Sequence, residues 1–222
     1  MSTTSEIERR PVIEARQRIL DTAYTLFSRR GIRAVGIDEV IARAGVAKAT
    51  LYKHFPSKDD LVLAFLERRE QLWSRDWVET EARRRGATPE AQLLAIFDLF
   101  DEWFRRDDFE ACSFINVLLE INDREHPVGR AAAIHLGNVR AIVRALAEEA
   151  DLRDPAGFAH SCAILMKGSI VAAAEGDVDA AHRGKRMAML LLDQHRRTSN
   201  SGNKTAVDGR ERRPRTERPG PG

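Results

Sequence analysis

Residues 31–61, GIRAVGIDEVIARAGVAKATLYKHFPSKDDL, constrain the fold of this 222-residue chain more than any other stretch. Ile37, Val40, Ile41 and Ala44 recur at the i, i+3, i+4, i+7 spacing of one apolar helical stripe. Gly45 follows where that helix must stop, because glycine enters the left-handed conformation at little steric cost. In the next segment Leu51 and Phe55 share a face. At about 100° per residue Ala49 and Lys53 then point the opposite way, flanked by Thr50 and Tyr52. Pro56 disfavours helical geometry at Phe55, which limits this helix to about two turns. Ser57 and Asp60 resemble a capping box that opens a further helix through Leu61. Two short helices joined by a Gly-bearing turn, the second with a basic and aromatic outer face, have the form of a helix-turn-helix, which lays its second helix in the DNA major groove.

On that reading Lys48, Thr50, Tyr52, Lys53 and His54 are the candidate DNA contacts, and Ala47 and Ala49 are small enough for close approach to the bases. A phosphate near Lys58 would also meet the positive end of the third helix. Two residues keep a second reading. The Tyr52 ring can pack on a neighbouring helix and offer only its hydroxyl, and His54 can be a helix-end residue favoured by the macrodipole.

The segments ARQRILDTAYTLFSRRG, IDEVIARAGVAKATLYKHF and PSKDDL follow one another from about Ala15 to Leu61. In this order they resemble the DNA-binding domain of TetR-family transcriptional regulators, over about a fifth of the chain. Gly36 stands where that family often has Ser or Thr capping the second helix and touching phosphate, and Ala47 and Ala49 replace the commoner Ser and Gly. The resemblance adds Gly36 and Ile37 to the candidate DNA-binding residues. It also implies a homodimer formed through the last two helices, a palindromic operator, and a ligand cavity in the body. The function expected from it is a repressor released by a small molecule. A ligand-independent regulator or an activator is the alternative, and an enzyme or partner-binding protein with an accessory helix-turn-helix is the competing class.

Helical punctuation continues to the end of the body. Ile19, Ala23 and Phe27 form the spine of the first helix, which stops near Gly31, and a long charged helix runs from Ser57 to about Arg85. Thr88–Pro89, His126–Pro127 and Asp154–Pro155 each place a capping side chain before a proline suited to the first helical position. The last helix is expected over about Asp177–Arg196. No period-two strand pattern occurs, so the chain reads as all-α with about nine helices. The expected organisation is a flexible arm over 1–12, a helix-turn-helix domain over 13–73 with its motif at 36–55, a larger ligand-binding and dimerisation body over 74–196, and a disordered basic tail over 197–222. Segments 158–174 and 187–192 are apolar nearly all round. Such helices must be buried, either against the same helices of a second copy in a four-helix interface or in the body's own core.

Residues 1–60 carry 11 Lys/Arg against 8 Asp/Glu, residues 61–195 carry 17 against 23, and residues 196–222 carry 8 against 3. A basic head and tail on an acidic body suits DNA contact by the ends, and the Arg-rich tail would add non-specific phosphate attraction or merely solubilise. No apolar run is read as long enough to cross a bilayer, and the N-terminus lacks the hydrophobic centre of a secretory signal. Two cysteines make no disulfide framework or zinc spacing, so a cytoplasmic protein with reduced thiols is expected.

The body supplies candidate ligand contacts: apolar Trp103, Phe104, Phe114, Ile115, Leu119 and Met166, with Cys112, Asn116, Glu120 and His135 as polar groups. The same residues describe an ordinary helical core. An apolar effector is the expectation from that lining. Glu120, Asp123 and His126 have the spacing of helical metal ligands, but Pro127 marks a helix start there, which makes them terminal or capping residues. Cys112–Ser113 lacks an identifiable His and acid partner, and no Gly-rich phosphate cradle occurs. No catalytic, metal or cofactor site is expected.

Overall fold

The computed structural model describes residues 3–197, and among these every regular element is helical. Helix α1 (Thr3–Arg30) buries the expected spine, with Ile19 and Ala23 sealed off and Phe27 nearly so. Its backbone is helical from Thr3, through most of the segment expected as a flexible arm. Glu and Arg are good helix formers and this stretch contains no glycine. Gly31 ends α1 at φ +75°, its N–H bonded to Phe27 O at 3.0 Å. Helix α2 (Ile37–Ala44) closes on Gly45 at φ +63°. Helix α3 (Lys48–His54) stops at Phe55, whose backbone is extended as the following proline requires.

Helix α4 (Lys58–Arg69) opens with the expected capping box. Ser57 Oγ accepts from Asp60 N at 3.1 Å, and Ser57 N donates to Asp60 Oδ2 at 2.9 Å. The rod then continues without a break as a π-helical stretch (Glu70–Glu79) and α5 (Thr80–Arg85). The boundary expected at 73/74 therefore falls inside a continuous rod shared by both domains. Counted this way, the chain has nine rods among the described residues.

The body consists of α6 (Pro89–Phe104), α7 (Ser113–Ile121), α8 (Pro127–Glu149), α9 (Pro155–Ala174) and α10 (Ala180–His195). Thr88, His126 and Asp154 each accept a backbone N–H of the helix they precede. The last helix starts at Ala180 rather than Asp177, because Asp177 Oδ1 accepts from Asp179 N and holds a turn after Gly176. Helices α6, α8 and α10 surround α9, and Phe97, Phe100, Phe114 and Phe158 are fully buried between them. Each such ring contributes roughly 2–3 kcal/mol by burial alone.

Helix α9 corrects the membrane expectation. Its 20 residues are long and apolar enough for a bilayer span by length and composition. Lys167 is its one charged side chain, and its small alanines and glycines lengthen the uncharged run. The edge carrying Phe158, Cys162, Met166 and Ile170 is packed inside the body, as in a core helix. Arg197, expected in a loose tail, bonds Asp151 O at 3.2 Å. The rest of that expected tail lies outside the described residues.

Candidate DNA-binding face

Helix α3 is fastened inward by Leu51, fully buried, and by Phe55, over whose ring the Arg16 guanidinium lies at 5.1 Å. Ala47, Lys48, Ala49, Tyr52 and Lys53 are exposed on the other side. Thr50 and His54 are half-buried at its edges. Neither Gly36 before α2 nor Ala47 before α3 supplies a side-chain cap. The first amides of both helices therefore keep no side-chain partner, and such groups complement anions. A Cβ at Gly36 would meet nothing within 4 Å, so the backbone there stands open. Ile37 departs from this pattern: it is half-buried and packs on the core, so it seats α2 rather than facing outward. Lys58, half-buried, occupies the first turn of α4. Lys48 Nζ lies 3.6 Å from Asp38 Oδ1, with both side chains exposed. A pair of that kind is worth little, and a phosphate can displace it.

The ten candidate ligand residues separate into several groups. Cys112, Phe114, Ile115 and Met166 do line one apolar cavity of the body, with Trp73, Phe100, Leu136, Ala163 and Ile170. Arg140 and Lys167 contribute only their apolar stems to its wall. Burial raises both thiols, Cys162 to about 12 and Cys112 in the same direction, which leaves them inert hydrophobes at neutral pH. Trp103 faces a different cleft, beside α1. Phe104 is spent in an aromatic cluster with Phe100 and Phe109. Leu119 is 69% exposed, because it falls on the outer side of α7. Asn116 donates to Glu110 O at 3.4 Å.

Glu120 and His135 are corrections of another kind. The Glu120 carboxylate accepts from Ile32 N at 3.2 Å and Arg33 N at 2.7 Å, bolting α7 to the loop after α1. His135 Nδ1 contacts Glu70 Oε2, its ring stacks on Phe114, and Asn138 Nδ2 donates to Glu70 Oε1 at 2.8 Å. Both polar groups join α7 or α8 to the DNA-binding half instead of facing a cavity. A third join is His126 Nε2, 3.3 Å from Asp59 Oδ2. Asp123 Oδ1 accepts from Glu125 N, so the metal-like spacing of Glu120, Asp123 and His126 resolves into three separate roles. The sequence reading missed Trp73 and Phe100 as cavity walls. Phe100 lies in the apolar run of α6, whereas Trp73 falls at the end of the 13–73 segment that the sequence assigns to the helix-turn-helix domain.

A short helix anchored on an apolar core and presenting Lys, Tyr and small residues outward, built onto a separate helical body, defines a helix-turn-helix DNA-binding regulator. The family described as bacterial regulatory proteins, tetR family, matches residues 19–65. A TetR-family transcriptional regulator from Streptomyces coelicolor superposes with a TM-score of 0.75 at 32% identity, covering 82% of this chain and 96% of that one. The chain belongs to the TetR family of transcriptional regulators. Among curated relatives, the HTH-type transcriptional activator FasR of Mycolicibacterium smegmatis is 48% identical over 60 residues, 27% of each chain. The HTH-type transcriptional repressor KstR of Rhodococcus jostii is 47% identical over 55 residues, 25% of this chain and 26% of that one. The matched stretch thus spans about a quarter of these relatives' length. These relatives are transcriptional regulators, not enzymes.

Proposed function

We propose that the protein is a cytoplasmic, homodimeric repressor that occupies a palindromic operator and is released by a small molecule held in the body. The observation that carries this reading is the exposed face of α3, where Lys48, Tyr52 and Lys53 stand away from Leu51 and Phe55. Ala47 and Ala49 let the helix axis approach the base edges, so Thr50, Tyr52 and Lys53 reach bases or phosphates while Lys48 and Lys58 flank them. Occupancy alone excludes polymerase, so repression needs no further contact surface. The apolar lining between Phe114 and Met166 suits an apolar effector, and at about 30 Å³ the cavity admits one only when its walls move apart, which ties binding to a change of conformation. Such a ligand releases DNA only by binding better to the state whose reading helices miss the half-site spacing.

Genomic footprinting followed by anisotropy titration on the best site tests the reading. Lys53→Ala is expected to weaken specific binding while leaving the fold intact, because the side chain is exposed. If Lys53 contacts phosphate, the salt slope falls by about one unit; if it reads a base, specificity relaxes at one position. Unchanged affinity of Lys53→Ala removes α3 as the reading helix. Expression from a reporter placed behind the site sets the sign: an activator would lower it when deleted.

A further inference from the structure

A cleft of about 420 Å³ opens where the DNA-binding domain meets the body, separate from the apolar cavity within the body. One side is α1, through Tyr24, Ser28 and Arg29, and the other is the α6–α7 connection, through Arg106, Asp108 and Glu110. Arg69 and the π-helical stretch complete it. The chain has three tryptophans, and all of them, Trp73, Trp77 and Trp103, line this cleft. The Trp73 ring centroid lies 5.1 Å from that of Trp103 and 5.9 Å from that of Trp77. A further flat ring joins such a cluster edge-on or by offset stacking.

The cleft carries three guanidinium groups, Arg29, Arg69 and Arg106, against two carboxylates, Asp108 and Glu110. Arg106 is held by Asp108 at 2.7 and 2.8 Å, and Arg29 lies 3.4 Å from Glu110. Arg69 touches no carboxylate among the described residues and donates to Tyr24 Oη at 2.9 Å. Two buried polar atoms of the lining residues, Ser28 Oγ and Trp73 Nε1, have no hydrogen-bond partner among the described residues. Guanidinium and indole N–H groups only donate, so what complements them is an acceptor, and an anionic one where Arg69 is concerned.

We propose that this junction cleft is a second effector site, for a flat aromatic carboxylate. The ring lies against the tryptophans, and the carboxylate takes hydrogen bonds from Arg69, with the unpartnered Ser28 and Trp73 donors buried in the same wall. The volume is in the range of small-molecule sites. Because α1 forms one side and the body the other, a bound ligand couples to the angle between the two domains, to the extent that it prefers one angle.

The test titrates the full-length protein with trans-cinnamate and, separately, with its neutral amide, following tryptophan emission; all three tryptophans line the cleft and Trp73 also walls the body cavity, so a body-cavity variant is titrated beside it. Cinnamate is expected to produce a saturable change, with the amide at least about ten-fold weaker. Arg69→Met is expected to weaken cinnamate to a similar degree, whereas Ala163→Leu, which fills the body cavity, leaves it unchanged. No saturable change with cinnamate, or equal binding of acid and amide, overturns the proposal. So does a loss confined to Ala163→Leu, which would place the ligand in the body cavity. If Arg69→Met fails to fold, the comparison of acid and amide on the unmodified protein decides alone. None of these readouts needs an operator, so the site stands or falls independently of DNA release.

Discussion

Glu120 holds two domains in register with a single carboxylate, and its contact explains a glycine. Gly31 sits at φ +75°, and a Cβ there would fall 2.3 Å from Glu120 Oε1. Gly31→Ala therefore meets both left-handed strain and a displaced carboxylate, and is expected to cost about 1–2 kcal/mol in urea unfolding. Glu120→Ala, which removes the acceptor of two backbone amides, costs about 1 kcal/mol. The two are coupled, so Gly31→Ala is expected to cost less in the Glu120→Ala background than alone. Strict additivity would show that the carboxylate does not press on the loop. Cys162 carries a prediction in pH. Its thiol is raised from an ordinary value near 9 to about 12 by burial. The folded state thus keeps a proton that the unfolded state has lost, so stability is whole below pH 9 and falls as pH rises toward about 12. Cys162→Ala is expected to flatten that alkaline decline in thermal melts, and an unaltered decline would assign it to other groups.

At the scale of elements, α3 separates anchoring from reading. Leu51→Ala empties a fully buried position and is expected to cost about 2–5 kcal/mol, abolishing DNA binding together with the domain's fold. Lys53→Ala leaves the melting temperature in place. The two variants would be indistinguishable by DNA affinity alone, and calorimetry tells them apart. The α2–α3 pair was legible in the sequence because its signals are local: Gly45 ends one helix, Pro56 ends the next, and Ser57 with Asp60 opens a third. The π-helical stretch was not legible. Nothing local in EQLWSRDWVE marks a wider turn. Its setting is tertiary, with Glu70 held by His135 and Asn138 across the chain and Trp73 wedged among Phe100 and Trp103. Glu120 and His135 were misread for the same reason, since their partners lie 65 to 88 residues away. A π-helix is rare and occurs mostly as single-turn bulges, so a ten-residue run is held by its tertiary contacts rather than by local preference. Amides of 70–79 are therefore expected to exchange hydrogen faster than those of α4 or α6 in the native protein. Equal protection along the whole rod would contradict this.

Among the described residues, an apolar stripe on α9 and α10 is left uncovered by the single chain. Ile164, Gly168 and Val171 follow one another at i, i+4 and i+7 on α9, with Ile164 70% exposed, and α10 adds Met187 and Leu190, the latter 65% exposed. Isolated exposed apolar residues are ordinary, but a stripe across two adjacent helices marks an interface. If the protein is the homodimer proposed above, a second copy of the same two helices is the occupant that matches this stripe by symmetry, since a two-fold axis sets each stripe against its own image. Any substitution there enters twice. Ile164→Glu places like charges from both protomers near one another, and is expected to weaken dimerisation at least about a hundred-fold, because such juxtaposition costs several kcal/mol. Sedimentation equilibrium should show monomer, with circular dichroism unchanged because the side chain is on the outside of α9. The DNA consequence follows from geometry. A dimer spans two half-sites one helical turn apart, whereas a monomer keeps one reading helix and about half of the phosphate contacts. The slope of log affinity against log salt should then fall to about half that of the unmodified protein, in proportion to the phosphates neutralised. If Ile164→Glu stayed dimeric, the α9–α10 stripe would not be the interface. If it became monomeric with an unchanged salt slope, the two reading helices would not engage one operator together.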